Sequence, residues 1–253
     1  ALARALPARP EPSRPAPATK EAPAQLPRAA PAATLSKDKL ELKAKSLVEE
    51  YWTMRSVPES VASLSDIRSA GGSMPAAVAE VATAALNVRG LDVGVDGRLP
   101  PIVSVFDAAM AEPTDPPLRP SDVAEGAVLL AQSLHALAEE LPKAPALLGD
   151  AFFGRYVASG VVALGDVVRA LLAVEPLEEE GDAPLVDMDA ALDFVFAVMA
   201  RVKSDAGEAK ASELWSQADV KLSSLASSLS PVEPAELKAQ ADAKGLGFLA
   251  ASA

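Results

Sequence analysis

Few residues in this chain have the type and spacing to carry chemistry, and each is quickly bounded. With no cysteine among 253 residues, disulfides, thiolate metal sites and cysteine nucleophiles are all excluded. The single histidine, His135, lies on a helical stretch with Leu134, Leu137 and Ala138. No acid sits at i−4 to orient it, and Glu139 at i+4 offers only an ordinary helix-face pair. A catalytic base needs a nucleophile and an orienting group nearby, so His135 reads as a surface or boundary residue. Asp92 and Asp96, with Gly94 and Gly97, lack the about five oxygen ligands and closing glutamate of a calcium loop and read as a solvated turn. GLGFLA at 245–250 has the letters of a dinucleotide fingerprint, but it follows no strand and opens no long helix. The expectation is a protein that binds other proteins, is not an enzyme, and needs no cofactor or metal.

One junction stands out physically. Glu139-Glu140-Leu141-Pro142-Lys143-Ala144-Pro145 sets two carboxylates at the end of one helix and two prolines across the bend. The helix macrodipole disfavours negative charge at a C-terminus. Carboxylates placed there read either as a contact for a partner's positive charge or as a plain exposed helix end.

The elements around these residues are helical. Leu40, Ala44, Leu47, Val48 and Tyr51 recur at helix-face spacing. Pro58 suits a first helical position, and Val61, Leu64 and Ile67 continue a second helix until Gly71-Gly72. Pro75 opens a third with Val78, Val81, Ala82, Ala85 and Leu86. After a glycine-rich turn at 90–97 comes a helix through Ile102, Val103, Phe106 and Met110, then a proline-rich loop at 113–120. Ser121 suits the cap of one long helix through Val123, Ala127, Leu130, Leu134 and Leu137, ended by Pro142. Pro145 starts a helix with Leu148, Phe152 and Tyr156, and Gly160 precedes another with Val161, Leu164, Val168 and Leu171. Beyond an acidic loop at 178–182, helices are expected over 188–203, 208–228 and, more weakly, 234–243. Trp52 and Trp215 fall on apolar faces and read as packing residues. Strand alternation is nearly absent. The pattern predicts an all-α chain of stacked antiparallel helical hairpins.

Composition bounds the partners. Lys plus Arg total 23 against 35 Asp plus Glu, a net charge of −12. Residues 1–33 hold five basic and two acidic side chains, so the remainder carries 18 against 33, a net of −15. That excess argues against a broad nucleic-acid face. Lys37, Lys39, Lys43 and Lys45 cluster but alternate with Asp38, Glu41, Glu49 and Glu50, giving a solvated face and weak or no direct RNA binding. No uncharged run reaches ~18 residues, so no membrane span is expected, and the chain reads as cytosolic or nuclear. The eight prolines of 1–33 suggest a disordered Ala/Pro-rich linker; a transit peptide is the alternative reading. A start at Ala1 suggests a piece of something longer.

ELPKAPALLGDAFFGRYV (140–157) resembles the most characteristic segment of the MI (MA-three) domain: an acidic residue, an apolar one, Pro, a variable residue, Ala and Pro. KLELKAKSLVEEYWTMRSVPESVASLSDI (39–67) is similar to that domain's opening hairpin. SDVAEGAVLLAQSLHALAEE (121–140) looks like the helix before the bend. GEAKASELWSQADVKLSSL (207–225) resembles the segment that follows the domain in the eukaryotic translation initiation factor 4 gamma family, with Asp219 in place of a usual glycine. The resemblance implies a HEAT-like MI domain over 37–173 and a C-terminal helical extension over 186–249. It implies a cytoplasmic translation-initiation scaffold that docks a DEAD-box RNA helicase, initiation factor 4A, and meets other cap-binding-complex proteins through a longer chain. The implied contact residues are Glu139, Glu140, Pro142, Lys143, Ala144 and Pro145, and the family's second acidic position falls on Ala136. Two alternatives share the domain: a translational repressor that sequesters the helicase, and a splicing or ribonucleoprotein assembly factor.

Overall fold

Apolar residues at three-to-four spacing bury one face of the helices, and prolines in the first turn mark where many of them begin. The computed structural model describes residues 34–88, 94–173, 190–226 and 232–252. The tail 1–33, Asp92 and the acidic loop at 178–182 lie outside these. Among the described residues every regular element is a helix, and no helix is long and apolar enough to cross a membrane.

Helix α1 (Lys37–Met54) buries Leu40, Ala44, Leu47, Val48, Tyr51 and Trp52. It stops at Arg55, whose backbone is left-handed (φ 54°) and whose guanidinium lies 3.9 Å from the Trp52 ring centroid. That cation–π contact offsets part of the cost of positive φ at a residue with a Cβ. α2 (Val57–Ser69) and α3 (Met74–Asn87) start alike: Ser56 and Ser73 accept the N–H groups of Glu59 and Ala76, and Pro58 and Pro75 occupy the first turn. α4 spans Leu99–Ala111.

Several expectations need correction. Ser121 is not a cap: α5 (Pro120–Gln132) begins one residue earlier, and the Asp122 carboxylate accepts the Arg119 N–H at 2.8 Å. Proline fits the first helical position, so the cap moves to the residue before it. Nor does one helix run to Pro142. It breaks at Ser133, whose hydroxyl bonds the carbonyls of Leu129 and Leu130, and α6 (Leu134–Glu140) follows as a separate element. Ser63 and Ser65 make the same kind of bond inside unbroken α2, so this bond accompanies the break and does not by itself cause it.

Beyond the bend, α7 (Ala144–Leu148), a π turn (Gly149–Gly154) and α8 (Arg155–Ala158) run as one continuous helix. The next helix, α9 (Leu164–Leu172), leaves Val161 outside it: Gly160 (φ 77°) turns the chain so that the Val162 N–H reaches the Tyr156 carbonyl. α10 (Ala190–Ala206) and α11 (Glu208–Ala218) are joined by Gly207. The helix expected to continue to 228 ends instead at Asp219, left-handed at φ 52°, before a short 3-10 turn at Leu222–Leu225. α12 (Pro234–Ala243) and a 3-10 turn at Gly247–Ser252 complete the described chain.

The helices touch in two series. α1, α3, α5, α9 and α11 each pack on the next; so do α2, α4, the α7–α8 helix and α10. Close crossings demand glycine. A Cβ on Gly126 of α5 would stand 2.7 Å from the Pro75 carbonyl of α3, and one on Gly154 would stand 2.5 Å from Arg201 Cβ of α10. At the centre, Phe152 meets Phe106, Phe153 and Tyr156 edge-on, and Phe153 meets Phe194 likewise. These rings join α4, α8 and α10 in one apolar core.

Tyr156 carries a polar group into that core. Its hydroxyl donates to Asp107 at 3.1 Å, with the Val103 carbonyl at 3.4 Å, and Asp107 is also paired with Arg155. Burial first, then the Asp107 charge, pushes the phenol far above its ordinary value. A raised folded-state value means the neutral phenol's stabilisation is fully present below ~10, its unfolded value, and fades as pH rises beyond that. Tyr156→Phe should cost about 1–2 kcal/mol at neutral pH and flatten the alkaline limb of stability. Urea unfolding from pH 7 to 11 reads both effects, and an unchanged alkaline limb would contradict the account.

Candidate functional site

α6 buries Leu134, Leu137 and Ala138 and turns Ala136, Glu139 and Glu140 outward. The spacing i, i+3, i+4 places those last three on one face. The chain then reverses: Leu141 N–H bonds the Leu137 carbonyl and Ala144 N–H bonds the Leu141 carbonyl, both at 2.8 Å. Pro142 and Lys143 form the exposed tip, while Ala144 and Pro145 are buried and start α7. Ala144 and Pro145 hold the turn from inside, and the charged residues Glu139, Glu140 and Lys143 are all exposed. Among the described residues, none of Glu139, Glu140 and Lys143 takes part in an ion pair. Two unneutralised carboxylates on a braced corner can accept charge-assisted hydrogen bonds from Arg or Lys of another molecule.

The other candidates separate from this corner. His135 is half-buried, and its Nδ1 lies 3.0 Å from the Gln132 carbonyl, not against Glu139; it fastens the α5–α6 break. Asp96 is exposed in a 3-10 turn, and no group of side chains able to hold a metal occurs among the described residues. In the GLGFLA segment the Leu249 carbonyl accepts the Trp215 indole N–H at 3.1 Å, and Leu246 and Leu249 are buried. The four lysines of α1 are exposed among their acidic neighbours.

Sequence reading missed a groove of about 1190 Å³ beside the corner. Among the described residues four carboxylates line it, Glu41 and Glu49 of α1, Glu80 of α3 and Glu140 of the bend, against Lys45 and Arg98. Arg98 is engaged with the Leu86 carbonyl at 2.9 Å. Burial, then the neighbouring Glu41, holds the Glu80 carboxyl above the usual range, with Lys37 opposing. Trp52 also lines the groove; it is 7% exposed, and among the described residues its buried indole N–H has no hydrogen-bond partner. Periodicity correctly buries the Trp52 ring, but nothing in the sequence signals an unsatisfied N–H.

The chain matches no protein-family model and no curated protein.

Proposed function

We propose that this chain is a non-enzymatic, cytoplasmic scaffold module of the MI (MA-three) type, similar to that of the initiation factor 4 gamma family, which docks a DEAD-box RNA helicase through the acidic corner of α6. The observation that carries this reading is the pair of exposed carboxylates Glu139 and Glu140, without an ion pair among the described residues, on a turn fixed by buried Ala144 and Pro145. The two series of packed helices support a HEAT-like stack of hairpins over 37–173, with the 186–249 extension continuing it. Asp219 adds support: it adopts the left-handed conformation (φ 52°, ψ 44°) that glycine takes most freely, at the position where the family carries glycine.

The test is a titration of the chain against a labelled helicase of the initiation type, at low and physiological salt. Glu139→Lys/Glu140→Lys should weaken binding by roughly ten-fold or more, mostly through faster dissociation. Ala136→Asp restores a third carboxylate on the same exposed face and should tighten it. Absence of binding by the parent chain and by Ala136→Asp would reject the reading.

A further inference from the structure

Ala144 and Pro145, which hold the acidic corner from inside, are also the first residues of α7. α7 opens the continuous helix that passes through the π turn into α8, and α6 packs on it. The axis of that helix therefore sets where the end of α6 points. Its seat is α10, which lies outside the 37–173 stretch that resembles the MI domain. α7, the π turn and α8 all pack on α10.

The seat is built from two close approaches. A Cβ on Gly149 would stand 2.8 Å from the Phe194 carbonyl and 3.0 Å from Ala197 Cβ, and one on Gly154 would meet Arg201 Cβ. Ala197 and Arg201 stand four residues apart on α10 and share a face. Gly149 and Gly154 are five residues apart, and at 3.6 residues per turn they would point to different sides. The π turn closes with bonds from i to i+5 and brings them towards one line. A Cβ on Gly154 would also stand 2.9 Å from the Gly149 carbonyl beneath it. One contact leaves a helix free to pivot, whereas two a turn apart fix its axis. Phe153 adds a third contact, edge-on to Phe194 at 4.9 Å between ring centroids.

We propose that α10 positions the docking corner: the Gly149–Gly154 seat on Ala197 and Arg201 fixes the axis of α7 and, through Ala144 and Pro145, the direction in which Glu139 and Glu140 are presented. The docking role of those carboxylates rests on the helicase reading, and the seat does not. Gly149 and Ala197 are positioning residues, acting on the corner through α7.

The test uses the full chain and two readouts. One is hydrogen exchange at the Leu141 and Ala144 amides, whose bonds close the turn; the other is titration against the helicase. Ala197→Val adds bulk at the seat. Ala200→Val makes the same change on the exposed side of α10, and Ala197→Gly weakens α10 without adding bulk. Exchange at Leu141 and Ala144 should run about ten-fold faster in Ala197→Val, measured against amides of α1 and α3 that report global opening. It should stay parental on that scale in Ala200→Val and in Ala197→Gly. Helicase affinity should fall several-fold in Ala197→Val and hold in Ala200→Val. Ala197→Ser, a smaller increment, repeats the comparison if the valine variant does not fold. Parental exchange at the corner, or a rise that α1 and α3 match, would overturn the proposal. So would a loosened corner with undiminished helicase affinity. A parent chain that binds no helicase rejects the docking reading alone, and the exchange comparison still decides for or against the seat.

Discussion

Phe152→Ala should lower the unfolding free energy by about 3–5 kcal/mol, the usual cost of truncating a buried aromatic ring. Phe152 is fully buried and makes three edge-on ring contacts, to Phe106 at 6.2 Å, Phe153 at 5.2 Å and Tyr156 at 5.1 Å between centroids. Each such pair adds to area burial, so the loss belongs at the upper end of the range. The residue sits in the π turn, where one extra residue per turn swings adjacent Phe152 and Phe153 so that both are buried. The neighbourhood cannot close the gap by sliding, because Gly154 already brings its backbone against Arg201 of α10. Thermal unfolding should show a drop of roughly 6–20 °C for a chain of this size. Phe152→Leu, which keeps most of the volume, should cost about 1.5 kcal/mol or less. Equal losses in the two variants would mean that ring volume is not what the site requires.

Much of this packing follows from periodicity. The apolar positions along 40–51, 61–67 and 78–86 are buried where a period of 3.6 places them, and prolines 58, 75 and 145 fall in first turns. The exposed face of Glu139 and Glu140 is legible for the same reason, since Leu134, Leu137 and Ala138 claim the other side. What fails is where helices stop without proline or glycine. Ser133 and Asp219 are ordinary polar residues by pattern, yet each ends a helix. Ser133 does so with neither proline nor glycine at the break, and Asp219 through a left-handed backbone that aspartate tolerates. The acidic groove is illegible for a different reason. It joins Glu41, Glu80 and Glu140 from three distant stretches, and local spacing holds no record of that.

Trp215→Ala should cost about 3–5 kcal/mol as well, for a reason that ring burial alone does not cover. The indole is 1% exposed, and its N–H donates to the Leu249 carbonyl, so α11 and the final 3-10 turn are tied by one bond inside the core. Truncation leaves a cavity and a buried carbonyl without its donor, and both penalties act on the same segment. Hydrogen exchange should therefore rise first at 234–250, ahead of α1 to α5, because the end of the chain loses its anchor before the rest loses its packing. Trp215→Phe separates the two terms. It keeps most of the ring, removes the donor, and should cost about 1–3 kcal/mol, with faster exchange confined to 245–250. If Trp215→Phe matched the parent in both stability and exchange, the Trp215–Leu249 bond would contribute nothing, and the GLGFLA turn would be held by Leu246 and Leu249 alone.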